Sequence, residues 1–277
     1  PPPWERILSG GDRGVSDLGD WGRPWVLPAL ERAYLRHASG LSFVRGFLDR
    51  AFSGDLGRGV IGCDSWAWAF IRHVWRGRQP ITLALQAFDA PRLAAYFRRS
   101  ARSPEGGLID VRESDSGEPV LAPPGSQGES GRTSPFLETL AAHSRGILGV
   151  ARAYWRACLR SEPDAAGGRE GAPDGLRASR ETLWVAPQVL LDPPSLYPEA
   201  GRDEAFVLHT LLLHGGLPLS WLTRLLPISA SEAMETLLQL EDAGLVSERD
   251  AVWRVSALGY PSVRQYLRSG SYLVDPF

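Results

Sequence analysis

The sequence contains no lysine, and all thirty of its basic residues are arginine. Schiff-base chemistry and catalysis by a lysine nucleophile are therefore excluded. A glycine-rich phosphate-binding loop of the form G-x-x-x-x-G-K-[ST] is absent too, because that loop uses its lysine to hold the β- and γ-phosphates of a nucleotide. A GC-rich coding sequence is the simplest explanation of the exclusive use of arginine.

Cysteine and long apolar runs are also scarce. Cys63 and Cys158 are the two cysteines, and they lack the spacing of metal ligands, so we expect buried free thiols in a reducing cytoplasm. The longest apolar run, 206–213, is interrupted by His209 and is shorter than the roughly 20 residues of a membrane span. No direct insertion into a membrane is therefore predicted.

The rest of the composition is typical of a globular protein. The 277 residues are 43% hydrophobic and 22% charged, and ten tryptophans provide apolar area for a core. A chain of this length is sufficient for two domains of roughly 150 residues each. The net charge of −2 generates no overall field that would attract nucleic acid or an anionic membrane.

The first part of the chain alternates short apolar runs with amphipathic stretches, which predicts a parallel sheet with helices against it. Strands are expected at 25–28, 59–63 and 81–85. Helices are expected over 31–52 (split at Ser39-Gly40), 66–75, 90–99 and 136–160 (broken at Gly146).

Three segments rich in Gly, Pro, Ser or Glu divide the chain. They predict a lead-in at 1–24, a flexible insert at 101–134 with a small hairpin around Gly117, and a linker at 161–202. The predicted folded parts are therefore an α/β core at 25–100, a helical segment at 135–160 and a last domain at 203–277.

Residues 203–277 have the pattern of a winged-helix domain. Three helices are expected at 204–214, 220–226 and 231–243, the third opened by a capping box of Ser229 and Glu232. A two-stranded hairpin at 245–255 and a last helix at 262–267 follow. Alternation within the hairpin places Trp253 on the inward face, where we expect it to pack against Leu237 or Leu240.

The order of these elements resembles AAA+ and STAND ATPases, P-loop proteins of the ASCE class, in the Orc/Cdc6-like arrangement with a C-terminal winged helix. The resemblance covers about residues 25–160 and 203–277. It implies a partial P-loop-NTPase-like core, a helical lid at 135–160 and a winged helix. The chain begins with Pro1 and its one methionine is Met234, so residues before Pro1 are expected. ATP and Mg²⁺ are implied as ligands only if a P-loop lies there.

The resemblance implies a catalytic role for Glu31. In the family, a strand ends in an acidic pair that supports Mg²⁺ and activates water. The matching strand here ends with Pro28 and Ala29, and Glu31 is the nearest carboxylate. Glu31 either substitutes for the pair or stabilises the start of a helix through the helix dipole.

The resemblance implies nucleotide contacts for three more residues. Asp64 and Ser65 follow the strand that matches sensor 1, where a polar residue approaches the γ-phosphate, and either residue type also suits a helix N-cap. Arg145 lies in the segment that matches sensor 2, although Leu148 replaces the usual proline. Its alternative role is that of a solvated arginine near a helix end.

No metal site and no catalytic triad are predicted. His209 and His214 are five residues apart on one helix, whereas metal-binding pairs on a helix prefer a spacing of three or four. His37, His73 and His143 have no serine or cysteine partner in a motif.

Charge argues against DNA as a partner of residues 203–277. This segment holds five arginines and nine carboxylates. The helix that would enter the major groove carries only acidic charges, namely Glu232, Glu235, Glu241 and Asp242. Because neutralisation of phosphates supplies most of the affinity for DNA, we expect no DNA contact. We expect instead a protein partner or self-association through the winged helix and the helical lid at 135–160, or contact between domains.

The sequence therefore favours the C-terminal portion of an AAA+/STAND-like ATP-binding switch, which is not an ATPase on its own. The alternative is a non-enzymatic interaction or scaffold protein with a degenerate ATPase fold. A DNA-binding regulator is a third hypothesis with weaker support from charge.

Overall fold

The computed structural model describes residues 23–78, 80–102, 109–121, 133–162, 182–187 and 192–275. Within these ranges the protein is mixed α/β, with α-helices and three small sheets. The predicted lead-in at 1–24 lies almost entirely outside the described residues. The predicted insert at 101–134 and linker at 161–202 are each described in part, and both contain a strand, Asp110–Glu113 and Thr182–Val185 respectively, which pair with each other, so neither is only a flexible connection. The chain divides into two compact units, one formed by residues up to Leu83 and from Pro194 onward, the other by Ala84–Pro193.

The first unit begins with a two-stranded parallel sheet. Strand β1 (Trp25–Leu27) pairs with β2 (Gly59–Ile61), with Trp25 opposite Gly59. A side chain at position 59 would overlap the Trp25 ring, because a Cβ built there would lie 2.2 Å from its Cε2 atom. The glycine therefore permits the two strands to start in register.

One helix replaces the helix pair predicted over 31–52. A short 3₁₀ turn covers Leu30–Arg32, and helix α1 runs from Ala38 to Ser53 after an N-cap at His37. The Ser39-Gly40 pair lies inside the first turn of α1 and does not break it. Gly40 packs so closely on Leu35 that a Cβ would lie 2.5 Å from the Leu35 carbonyl oxygen.

The predicted strand at 81–85 is wrong. After helix α2 (Ser65–Val74) the chain has no regular structure at 80–89. The side chains of Ile81, Leu83 and Leu85 are 95%, 92% and 101% exposed. Alternating apolar residues form a strand only where a neighbouring strand accepts their backbone hydrogen bonds, and in the described part of the chain this segment pairs with none.

The second half of the first unit contains three helices, a hairpin and a last helix, in the predicted order. The elements are α6 (Arg202–His214), α7 (Leu219–Leu225), α8 (Ala230–Asp242), β6 (Val246–Arg249), β7 (Val252–Val255) and α9 (Tyr260–Ser269). The predicted capping box at the start of α8 is confirmed, because Ser229 and Glu232 each accept the other's backbone N–H. We call residues 202–275 the helix–hairpin segment.

Trp253 is buried, as predicted, in the same apolar cluster as Leu237 and Leu240. Its backbone also forms two hydrogen bonds with the backbone of Leu217, which lies in the segment between α6 and α7. This cluster includes Leu35 and Trp66 from the first part of the chain. The observed division therefore differs from the predicted one, because Leu35 and Trp66 share a core with the helix–hairpin segment.

The described part of the second unit combines three helices with a three-stranded sheet. Helices α3 (Ala90–Ser100), α4 (Pro135–His143) and α5 (Leu148–Cys158) accompany strands β3 (Asp110–Glu113), β4 (Leu159–Arg160) and β5 (Thr182–Val185). β5 lies between β3 and β4, parallel to the former and antiparallel to the latter. The predicted break near Gly146 is confirmed, and so is a turn around Gly117, which is closed by an Arg112–Pro119 bridge.

Candidate functional site

The carboxyl ends of β1 and β2 bring three of the four predicted site residues together. Glu31 lies on the 3₁₀ turn after β1, and its Oε2 atom accepts a hydrogen bond from the backbone N–H of Asp64, at 3.1 Å. Ser65 is the next residue and starts α2. Parallel strands place such residues at one edge of the sheet, which is where open α/β sheets bind ligands.

Asp64 caps helix α2. Its Oδ1 atom accepts a hydrogen bond from the backbone N–H of Trp66, at 2.9 Å, so the predicted N-cap alternative is confirmed for this residue. The pKa of the Asp64 carboxyl is raised above its ordinary value, chiefly because burial desolvates the charged form. Repulsion by the Glu31 carboxylate raises it further.

The Ser65 hydroxyl has a partner in the helix–hairpin segment. It donates a hydrogen bond to Oδ2 of Asp275, at 3.0 Å. Asp275 also accepts from the guanidinium of Arg264, at 2.8 Å from Nε to Oδ1 and 3.2 Å from an Nη atom to the backbone oxygen. Asp275 is 4% exposed and Arg264 7% exposed, so this ion pair is buried.

Two aromatic side chains complete the polar cluster around Asp275. Trp66 Nε1 donates to the Tyr260 hydroxyl at 2.9 Å, and that hydroxyl lies 3.4 Å from Asp275 Oδ2. Burial raises the pKa of Tyr260 to about 12, so the hydroxyl keeps its proton and can donate it. Sequence spacing predicted neither Arg264 nor Asp275 as site residues.

The end of α6 lies against the same strand ends. The buried Tyr34 hydroxyl donates to the Leu213 carbonyl at 3.1 Å, and the Arg36 backbone N–H lies 3.4 Å from Nε2 of His214. In this contact Nε2 of His214 is the acceptor. Burial lowers the pKa of His214 to about 3.

His209 is also neutral and buried. Its Nε2 atom lies 3.0 Å from the carbonyl oxygen of Leu273, an arrangement that requires the proton on Nε2. Burial lowers the pKa of His209 to about 4. Both histidines thus join α6 to neighbouring segments, His214 through the backbone of Arg36 and His209 through the backbone of Leu273.

Arg145 belongs to the second unit. It lies in the turn between α4 and α5 with φ of 53°, and its side chain is exposed. The following Gly146 (φ 69°) packs on the backbone of Phe88, and its carbonyl oxygen accepts a hydrogen bond from the Phe88 N–H, at 2.9 Å. Gly146 therefore fixes the turn. Arg145 belongs to the unit formed by residues 84–193, whereas Asp64 and Ser65 belong to the first unit.

The residues present do not fit an ATP–Mg²⁺ site. The sequence offers no lysine for the phosphates, and the Glu31, Asp64 and Ser65 side chains are each engaged in the contacts described above. Across the described ranges, no three His, Cys, Asp or Glu residues are grouped so that they could hold a metal ion. Cys63 and Cys158 are free thiols, and burial raises the pKa of both, that of Cys158 to about 11.

None of the helices in the described part of the chain combines the length and apolar character needed to cross a membrane. Comparison with protein-family models, with curated proteins and with solved structures yields no match to this chain.

Proposed function

We propose that this chain is the portion of an AAA+/STAND-like ATP-binding switch protein that follows the P-loop, and that residues 203–277 form a winged helix used for contact with protein or between domains. The observation that carries the proposal is the packing of the helix–hairpin segment on the strand ends. Hydrogen bonds join the two, among them those from Tyr34 to Leu213, from Ser65 to Asp275 and from Trp66 to Tyr260.

Contact with protein is favoured because the segment's apolar residues face another part of the chain. Leu35 and Trp66 are buried among residues of α6, α8 and α9 in one cluster. Burial of apolar area contributes about 25 cal/mol per Å², which makes such a core the main source of stability in the unit. A switch protein could use this contact to report the state of its strand ends to the helix–hairpin segment.

The charge of α8 supports this choice of partner. Glu232, Glu235, Glu241 and Asp242 are exposed on that helix. The groove beside it is lined by further carboxylates from Glu199, Asp203 and Glu204 and by one arginine, Arg202, so acidic groups predominate. A phosphate backbone would be repelled from this face. We therefore propose no DNA contact for the segment, and a reducing, cytoplasmic location that suits the two free cysteines.

Calorimetric titration of the full 277-residue chain with ATP and Mg²⁺ tests the nucleotide part. No binding in the micromolar range is expected, because a P-loop would have to be supplied from outside these residues. Micromolar binding by this chain would contradict the proposal. Salt-sensitive retention of the chain on duplex DNA, compared with a Glu232→Gln/Glu235→Gln variant, tests the contact part, and strong retention of the unaltered chain would support a DNA-binding regulator instead.

A non-enzymatic scaffold protein is the second candidate, favoured by the engagement of Glu31, Asp64 and Ser65 in contacts within the unit. ATP hydrolysis by a longer native chain distinguishes the two hypotheses. If such a chain hydrolyses ATP and Glu31→Gln abolishes the reaction, the scaffold hypothesis fails. If Glu31→Gln lowers only thermal stability, Glu31 is a structural link between the strand ends.

A further inference from the structure

Two arginines form the exposed side of helix α5. Arg152 and Arg156 are four positions apart, so their side chains are neighbours on the helix surface, about 6 Å apart along its axis. The remaining exposed residue of α5 is Gly149, and between Glu138 and Glu162 the sequence contains four arginines and no carboxylate. We call Arg152 and Arg156 the arginine face.

The charge of the arginine face is not balanced within the described part of the chain. Neither Arg152 nor Arg156 forms an ion pair with a residue described there. Neighbouring like charges on a helix repel each other, and guanidinium groups bind carboxylates through two parallel hydrogen bonds. A surface with several accessible carboxylates would therefore complement this face.

The groove beside α8 is such a surface. Glu199, Asp203 and Glu235 line it, all three are exposed, and none of them forms an ion pair with another described residue. Arg202 lines the same groove, but its guanidinium lies over the Phe206 ring, 4.8 Å from the ring centroid. We call the three carboxylates the acidic groove.

Each of these charged surfaces has a large apolar side chain exposed beside it. Ile147 directly precedes α5 and is 38% exposed, and Leu238 follows Glu235 by three positions on α8 and is 48% exposed. Protein interfaces combine an apolar centre with a polar rim. Both surfaces therefore have the chemistry of an interface and not only that of a solvated helix.

We propose that the acidic groove of one copy of this chain binds the arginine face of a second copy. Because two different surfaces meet, a pair of copies keeps one free surface of each kind, and the assembly grows head to tail. The inference rests on the protein-contact part of the proposed function, for which it names the partner. Nucleotide binding plays no part in it.

A second copy fits the arginine face better than nucleic acid does. Affinity for nucleic acid comes from the neutralisation of many phosphates, whereas this face offers two arginines in a chain with a net charge of −2. The acidic groove offers a similarly small number of carboxylates. Complementary charges of this kind determine which surfaces meet and make the contact sensitive to salt.

Sedimentation velocity of the full chain over a range of concentrations tests the contact. In about 0.01 M salt, where the Debye length is roughly 30 Å, the weight-average mass should rise with concentration. In about 1 M salt, where that length is roughly 3 Å, the association constant should be at least about tenfold lower.

Two charge-reversal variants locate the surfaces. Arg152→Glu/Arg156→Glu and Glu199→Arg/Glu235→Arg should each remain monomeric in low salt. An equimolar mixture of the two should associate, because it supplies one unaltered acidic groove and one unaltered arginine face. Circular dichroism should show that both variants are folded, since substitutions of exposed residues change stability little.

Arg72→Glu/Arg76→Glu is the matched control. These arginines are also exposed and four positions apart, at the end of α2, and their reversal changes the net charge by the same amount as reversal of the arginine face. The control should associate as the unaltered chain does. Equal loss of association in the control would show an effect of net charge alone and would reject the proposed surfaces.

A chain that stays monomeric in low salt, or a mixture of the two reversed variants that fails to associate, would overturn the inference. Retention of the unaltered chain on duplex DNA that Arg152→Glu/Arg156→Glu abolishes would assign the arginine face to phosphates instead. A monomeric chain that neither binds ATP nor is retained on DNA would leave the proposed function intact with a different protein partner, so the two failures are distinguishable.

Discussion

The Nε1 atom of Trp66 donates a hydrogen bond to the hydroxyl of Tyr260 across 2.9 Å, although 194 residues separate them in the chain. Trp66 lies in the first turn of α2, and Tyr260 is the first residue of α9. The two rings meet edge to face, with their centroids 6.5 Å apart. This contact links the strand ends of the small parallel sheet to the helix–hairpin segment.

Loss of the Trp66–Tyr260 hydrogen bond should lower the free energy of unfolding. Trp66→Phe and Tyr260→Phe each remove one partner and leave the other buried, so each should cost about 1 to 3 kcal/mol. The double variant should lose less than the two single variants together, with a coupling of about 1 kcal/mol. Urea unfolding of the four proteins measures this coupling, and a coupling of zero would show that the bond contributes nothing.

Trp253→Ala should destabilise the first unit as a whole. Truncation of a buried aromatic side chain costs about 3 to 5 kcal/mol, and the Trp253 cluster includes Leu35 and Trp66. Hydrogen exchange followed by mass spectrometry should therefore show loss of protection in α2 as well as in α8. Leu238→Ala, at a side chain 48% exposed, is the control and should change protection little. Retained protection in α2 would indicate that residues 203–277 unfold alone, as the sequence predicted.

Stability should fall on mild acidification because of His209 and His214. Their pKa values are lowered in the folded protein to about 4 and about 3, against about 6.5 in an unfolded chain. Below pH 6.5 the unfolded chain therefore binds more protons than the folded protein does. The free energy of unfolding keeps its full value above that pH and decreases as the pH falls towards 4. The slope is about 1.4 kcal/mol per pH unit for each histidine.

Urea unfolding at pH 7.5 and pH 5.5 measures this effect, with an expected loss of about 1 to 1.5 kcal/mol for each histidine. His209→Gln should be less stable at neutral pH but should show a smaller dependence on pH. The exposed His73→Gln serves as the matched control and should retain the full dependence. An equal pH dependence in His209→Gln and the unaltered chain would contradict the assignment.

Replacement of Ile81, Leu83 and Leu85 by serine should leave the melting temperature unchanged. These three side chains are almost fully exposed, and exposed substitutions usually alter stability by less than about 0.5 kcal/mol. Thermal unfolding of the triple variant decides between the observed segment and the predicted strand. A fall of several degrees would mean that residues 81–85 form a buried strand after all.

Local physical chemistry made several features predictable from the sequence. Helix α8 begins at its capping box because Ser229 and Glu232 satisfy each other's backbone donors without help from the rest of the chain. Alternation within the hairpin was sufficient to place Trp253 in the core, and residue type and position made a helix cap one of the two roles predicted for Asp64 and Ser65, of which the structure shows the cap at Asp64. Each of these features depends on residues only a few positions apart.

The tertiary structure decided the features that depend on distant partners. An alternating segment at 81–85 becomes a strand only if another strand pairs with it, and its own residues do not specify that partner. Ser65 and Asp275 are 210 residues apart, and no spacing rule connects them. The shared core of Leu35, Trp66 and Trp253 likewise arises because apolar burial is non-directional and joins whichever faces the fold brings together. The sequence by itself therefore determined most of the helices, the caps at Asp64 and Ser229 and the hairpin. Packing determined the units and the composition of the candidate site.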